Sequence, residues 1–199
     1  MRMLVSAVAV GTLLFAAGAR AAERGEAIFA GGCFWCEETA FEGVPGVSAV
    51  ISGYTGGTRK NPTYEEVSSG STGHAESVHV IFDPAKISYA KLLEIFWHSV
   101  DPVSAGGQFC DRGNQYRSVI FYLDESQKKA AEESKAIVEK QLKQPIATEI
   151  TKAGEFYPAE EYHQDFFKKN PVRYSSYRLG CGRDRRLREL WGDKAIVQH

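Results

Sequence analysis

The sequence predicts a mixed α/β fold, a two-layer sandwich in which short strands alternate with helices. Three observations carry this. Stretches 26–30, 46–54, 74–82 and 116–123 read as short strands set between turns and helical patterns. Stretch 88–100 places Tyr89, Leu92, Leu93, Phe96, Trp97 and Val100 at the i, i+3, i+4 spacing of a helix with one apolar face. The 199 residues hold no repeat and no low-complexity linker, so residues 22–199 read as one domain with a substantial core. Strand order is not readable from the alternation.

The first 21 residues read as a secretory signal. Arg2 gives a positive start, residues 4–17 are apolar but short for a bilayer span, and Ala19-Arg20-Ala21 offers a small-residue cleavage site. The expectation is export, to the periplasm, with an uncleaved membrane anchor as the alternative. The formal net charge of −1 gives no electrostatic reason to bind nucleic acid.

Residues 26–30 form a short buried strand in this reading, and Gly31-Gly32 turns it sharply into a helix over 37–44. Cys33 then stands at a helix N-terminus, where unpaired N–H groups and the helix dipole favour an anion. A thiol so placed ionises more readily, and the thiolate is the form that attacks. Cys36 completes a Cys-x-x-Cys pair. With Cys110 and Cys181 these are the only cysteines, too unevenly spread for a structural disulfide framework.

Strand 46–54 ends in Thr55-Gly56-Gly57, and Asn61-Pro62-Thr63-Tyr64 opens a short helical turn. Stretch 74–82 carries the second chemical signal. Val78, Val80 and Phe82 make its apolar face, Glu76 falls in phase with them, and Ser77 and His79 point the other way. A carboxyl group on the buried side of a strand has its pKa raised by desolvation. Staying partly protonated suits it to act as a general acid.

Ser88 caps the 88–100 helix, and Asp101-Pro102 ends it. A glycine-bearing loop over 103–115 leads to strand 116–123. Asp124 caps a long polar helix to about 142, with Gln127 at the capping-box position. Strand 147–152 follows. Pro158 is read as opening a helix to about 169, closed by Asn170-Pro171. The tail from Val172 reads as irregular and mobile, with one more short helix over 183–191. Its four arginines alternate with Asp184 and Glu189 as a solvated face.

Five pieces of this chain together resemble the methionine sulfoxide reductase A family. They are Gly31-Gly32-Cys33-Phe34-Trp35, Asn61-Pro62-Thr63-Tyr64, Thr72-Gly73-His74-Ala75-Glu76, Asp111 with Gly113-Asn114-Gln115-Tyr116-Arg117-Ser118, and Tyr157-Pro158-Ala159-Glu160 with Tyr162-His163-Gln164. The match spans almost all of residues 22–199. The resemblance implies a ferredoxin-like core with extended loops and a long C-terminal coil. It implies reduction of the S epimer of methionine sulfoxide, free or in proteins, by cysteine chemistry without metal or bound organic cofactor.

By the same resemblance Cys33 is the nucleophile and Glu76 the acid near the sulfoxide oxygen. Tyr64 and Tyr116 donate hydrogen bonds to that oxygen, and Asp111 shapes the polar side of the pocket. Phe34 and Trp35 form the wall that receives the methyl group, while His74 and His163 are structural hydrogen-bonders. Cys33 would become a sulfenic acid, condense with a second thiol, and be recycled by an external thioredoxin-like dithiol. Cys36 and Cys181 are both candidate resolving thiols, with Cys181 able to relay the disulfide outward. Cys110 is read as a structural or spectator thiol.

Two other classes compete on the residues alone. Cys-x-x-Cys suits a thioredoxin-like disulfide oxidoreductase, but that fold's downstream cis-proline pattern is missing. A zinc module needs a second ligand pair, and Cys110 and Cys181 each stand alone in sequence.

Overall fold

The computed structural model describes residues 24–197, so the predicted signal at 1–21 lies outside the described residues. Strand β1 (Gly25–Gly31) runs into α1 (Phe34–Phe41), followed by β2 (Val47–Thr55), α2 (Tyr64–Ser68), β3 (Ala75–Phe82) and α3 (Tyr89–Ser99). A tight hairpin of β4 (Gly107–Gln108) and β5 (Asp111–Arg112) precedes β6 (Ser118–Tyr122) and the long α4 (Glu125–Leu142). Then come β7 (Glu149–Lys152), β8 (Tyr157–Pro158), α5 (Phe166–Lys169), α6 (Pro171–Gly180) and α7 (Arg183–Trp191). Among the described residues no helix is long and apolar enough to cross a membrane.

The main sheet has the order β7-β6-β1-β3-β2-β8. All its pairings are antiparallel except β6 with β7. The result is a mixed α/β fold with a mostly antiparallel central sheet flanked by helices. β1 lies inside the sheet and is buried on both faces. Ala27 and Phe29 enter the main core with Phe41, Leu92 and Phe96, whereas Ile28 and Ala30 enter a smaller cluster with Val119 and Phe121. That two-sided burial explains why the strand reads as a continuous apolar run.

Local signals set the helix starts. Ser88 accepts the Lys91 N–H at 3.2 Å, and Asp124 accepts the Gln127 N–H at 2.8 Å. Thr63 and Glu66 form a reciprocal capping box at α2. Gly31 and Gly32 are required between β1 and α1. A Cβ on Gly31 would stand 2.6 Å from Val100 Cγ1, and Gly32 has φ +91° with Gln108 Cβ 2.7 Å from the place of its missing Cβ.

The C-terminal third departs from expectation. Pro158 does not open a helix. Residues Tyr157–Pro158 pair with Tyr54 and Gly53 at the sheet edge, where a residue without an N–H is tolerated. Only Phe166–Lys169 is helical before Pro171, which starts α6 instead of ending a helix. The long C-terminal coil is also absent, replaced by the docked helices α6 and α7. Arg183, Leu187 and Trp191, spaced four apart, lie on one face of α7 and are buried. Arg183 is therefore not part of a solvated face: it is 2% exposed and ion-paired with Glu37 of α1.

Candidate active site

The turn out of β1 delivers Cys33 to the N-cap of α1, with its carbonyl accepting the Cys36 N–H at 3.0 Å. β3 delivers Glu76 to the same spot through its pairing with Tyr54 of β2. Glu76 is 2% exposed, and its Oε2 accepts the Phe34 N–H at 3.1 Å. One carboxyl oxygen thus satisfies the first free N–H of the helix. Burial pushes the Glu76 carboxyl up to about 8, against the Phe34 hydrogen bond and with help from the charge of Asp111. The strand phase of Glu76 was legible in the sequence, and the structure buries that carboxyl group.

Cys33, Phe34, Trp35, Tyr64, Glu76, Asp111 and Tyr116 all line one cavity of about 100 Å³, together with Tyr177. The apolar wall is Phe34 and Trp35. Trp35 is held flat on Phe166, with centroids 3.7 Å apart, and its indole N–H donates to His163 Nδ1 at 3.1 Å. Tyr64 stands at the start of α2, its backbone N–H donating to Glu160 at 2.8 Å. Tyr116 ends the short 3₁₀ turn that precedes β6. Burial raises both phenols, Tyr64 to about 12, so both stay protonated donors at neutral pH.

Asp111 reaches the cavity from the β4–β5 hairpin and accepts a hydrogen bond from the Tyr177 hydroxyl. Burial raises the Asp111 carboxyl, while the Tyr177 bond and the charge of Arg183 pull the other way. Tyr177 was missed because it lies in the tail that reads as irregular. Its signal was the Tyr174–Tyr177 spacing of three, which puts both rings on one side of a helix.

Two features of the cysteines were not legible in the sequence. Cys110, read as a structural or spectator thiol, is disulfide-bonded to Cys181, with Cα atoms 4.9 Å apart. The sequence separation of 71 hid the pair, which forms because α6 ends where the β4–β5 hairpin turns. The helix N-terminus also does not lower the Cys33 pKa. Burial pushes the thiol up, reinforced by its hydrogen bond with Cys36 and the nearby Glu76 carboxyl. Cys36 moves the opposite way, to about 6, through the hydrogen bond from Cys33 and the charges of Arg183 and Arg178, against burial. The two free thiols form one coupled pair in which the negative charge is favoured on Cys36.

Such a cavity can hold an apolar methyl-bearing group beside a polarised oxygen. Its lining combines a thiol with three groups able to donate protons or hydrogen bonds.

The peptide methionine sulfoxide reductase family model matches residues 25–195. The peptide methionine sulfoxide reductase MsrA of Bacillus licheniformis is 54% identical over 176 residues, covering 87% of this chain and 97% of the relative. Methionine sulfoxide reductase A of Corynebacterium diphtheriae superposes with a TM-score of 0.69 at 34% identity, covering 75% of this chain and 76% of that one. Mxr1 from Saccharomyces cerevisiae in reduced form gives 0.73 at 30% identity, covering 76% and 88%. The same yeast protein has been solved in complex with Trx2, where the likeness is 0.54 at 21% identity and covers 76% and 91%.

Proposed function

This chain belongs to the peptide methionine sulfoxide reductase family and is an oxidoreductase acting on methionine S-sulfoxide, and we propose the residue roles by which it does so. The observation that carries them is the single cavity in which Cys33, Glu76, Tyr64 and Tyr116 converge against Phe34 and Trp35. In this reading the substrate's methyl group packs on the aromatic wall, and its oxygen points to Glu76 and the two phenols. Asp111 and Tyr177 close the polar side.

Cys33 attacks the sulfoxide sulfur, leaving the proton of the thiol pair on Cys36. Charge develops on the oxygen and is taken up by the Glu76 proton, with hydrogen bonds from Tyr64 and Tyr116. Methionine leaves and Cys33 becomes a sulfenic acid. Cys36 resolves it, because Cys36 is free and hydrogen-bonded to Cys33, whereas Cys181 is held by Cys110. A thioredoxin-like dithiol then reopens the disulfide. Support for that partner comes from yeast Mxr1, which has been solved with Trx2.

We read β6-β1-β3-β2, with α1 and α3 crossing between strands, as a ferredoxin-like core extended by β7 and β8. Export to the periplasm is proposed from the signal-like residues 1–21 alone. It predicts a processed chain in the periplasmic fraction, and an unprocessed cytosolic chain would refute it.

The test is a single turnover of reduced protein with each epimer of a blocked methionine sulfoxide, without external reductant. Wild type is expected to release methionine from the S epimer only, and Cys33→Ser to release none. Release by Cys33→Ser would remove Cys33 from the nucleophile role. Insulin reduction without methionine release would move the protein to the disulfide-exchange class.

A further inference from the structure

Helices α6 and α7 surround the deeper of the two free thiols. Cys36 is 2% exposed and clusters with Phe166 and Tyr174, under Trp35, Phe167 and Tyr177. Two buried guanidinium groups bond to its surroundings, Arg178 to Tyr174 of that cluster and Arg183 to Glu37, the residue after Cys36. Arg178 gives Nε and Nη2 to Asp184 Oδ1 at 2.9 and 2.6 Å, and Nη1 to the Tyr174 hydroxyl at 3.2 Å. Tyr174 bonds the Thr39 hydroxyl at 2.9 Å, and Thr39 donates to the Cys36 carbonyl at 2.8 Å. Arg183 donates to Glu37 and to the carbonyls of Gly31 and Ser99, at 3.1 and 2.8 Å, with its guanidinium 4.4 Å from the Phe109 centroid.

The charge balance leaves room for one more anion. Each arginine has one carboxylate partner, but burial raises Glu37 to about 7, against the charge of Arg183. Burial thus works against full ionisation of Glu37, so the Arg183 charge is the less completely neutralised of the two. The titratable or charged groups facing Cys36 are Cys33 and Glu37 on its own helix, Tyr174, Tyr177 and Arg178 on α6, Arg183 on α7 and Glu76 on β3. Of these only the arginines are cations.

Resting on the reading that Cys36 is the resolving thiol, we propose that Arg178 and Arg183 are positioning residues for resolution. They hold Cys36 as the thiolate that attacks oxidised Cys33. In that step Cys36 gives up the proton it received when Cys33 attacked, its sulfur bonds to the Cys33 sulfur, the S–O bond of the sulfenic acid breaks, and the departing hydroxide takes that proton and leaves as water. Cys36 is oxidised and Cys33 is reduced by the same electron pair. The helices that replace the expected coil thus bring activation to a thiol on α1, where a mobile tail would have brought a thiol of its own.

The experiment follows full-length reduced protein through one turnover, timing methionine release and Cys33–Cys36 disulfide formation separately. Thiolate absorbance gives the Cys36 midpoint. Wild type is expected to ionise near 6. Arg178→Gln is expected to raise the midpoint by about one pH unit, slowing disulfide formation about tenfold relative to methionine release on the acid side of the midpoint. Arg178→Lys restores both. Asp184→Asn, which leaves Arg178 uncompensated, is expected to move the midpoint down and gives an answer even if Arg178→Gln does not fold. An unchanged or opposite shift in either variant overturns the inference. Cys36→Ser separates this from the underlying reading: an intramolecular disulfide formed there at the wild-type rate would remove Cys36 as resolver, whatever the arginines do.

Discussion

Arg183 and Glu37 are 146 residues apart and form an ion pair sealed from solvent, with side chains 2% and 0% exposed. Glu37 lies one turn into the helix that Cys33 caps, and Arg183 also holds the carbonyl of Gly31 just before it. The pair therefore fixes α7 against the turn that aims the nucleophile.

Removing the cation alone strands a buried carboxyl group. Arg183→Met is expected to cost roughly 3–5 kcal/mol in denaturant unfolding. Glu37→Gln costs less, because the neutral form is already near its midpoint at pH 7. The double variant Arg183→Met/Glu37→Leu recovers part of the loss. Equal stability of wild type and Arg183→Met would show that the pair does not seat the helix.

Glu76 is assigned the proton that the sulfoxide oxygen takes. Glu76→Gln keeps the Phe34 N–H bond available but cannot give up a proton. Methionine formation in a single turnover is expected to fall by roughly 10²–10⁴. In wild type the same rate declines as pH rises through about 8, where Glu76 loses its proton. A Glu76→Gln enzyme at wild-type rate would assign the acid elsewhere.

Folding stability carries its own pH signature. Glu37, Glu38 and Glu76 are all raised by burial, to about 7, 7 and 8, from an ordinary value of 4.5. Through these three groups the folded state binds more protons than the unfolded chain between about 4.5 and 8. Their contribution to stability is greatest at the acid end of that window, falls as pH rises through it and is lost above about 8, while Cys36, lowered to about 6, acts with the opposite sign above that value. Each group contributes a slope of up to about 1.4 kcal/mol per pH unit within its own window. Denaturation midpoints across this range check the trend, and Glu76→Gln should flatten its upper part.

The Cys110–Cys181 bond ties the β4–β5 hairpin to the end of α6. Cys181→Ser is expected to lower stability by about 2–4 kcal/mol, the usual worth of a long closed loop. Thiol mapping of the native protein is expected to find Cys33 and Cys36 free and the other two protected. Four free thiols in protein purified without reductant would rule the pairing out.

Part of this molecule was decided by the sequence alone. The alternating strands and helices, the glycine turn before Cys33 and the phase of Glu76 all rest on neighbours a few residues apart, where periodicity and turn chemistry act. Cys33 and Glu76 stood out for that reason, whereas Phe34, Trp35, Tyr64, Asp111 and Tyr116 were legible only through the resemblance of their motifs to the family. Tertiary structure decided what depends on distant partners. It placed β1 inside the sheet, paired Cys110 with Cys181, and buried Arg183 on an α-helix whose charges mimic a solvated face. It also divided the charge within the Cys33–Cys36 pair. Burial opposed the helix-terminus effect at Cys33, while arginines from the far end of the chain favoured the anion at Cys36. Desolvation and long-range charge depend on packing in three dimensions, and local sequence does not encode them.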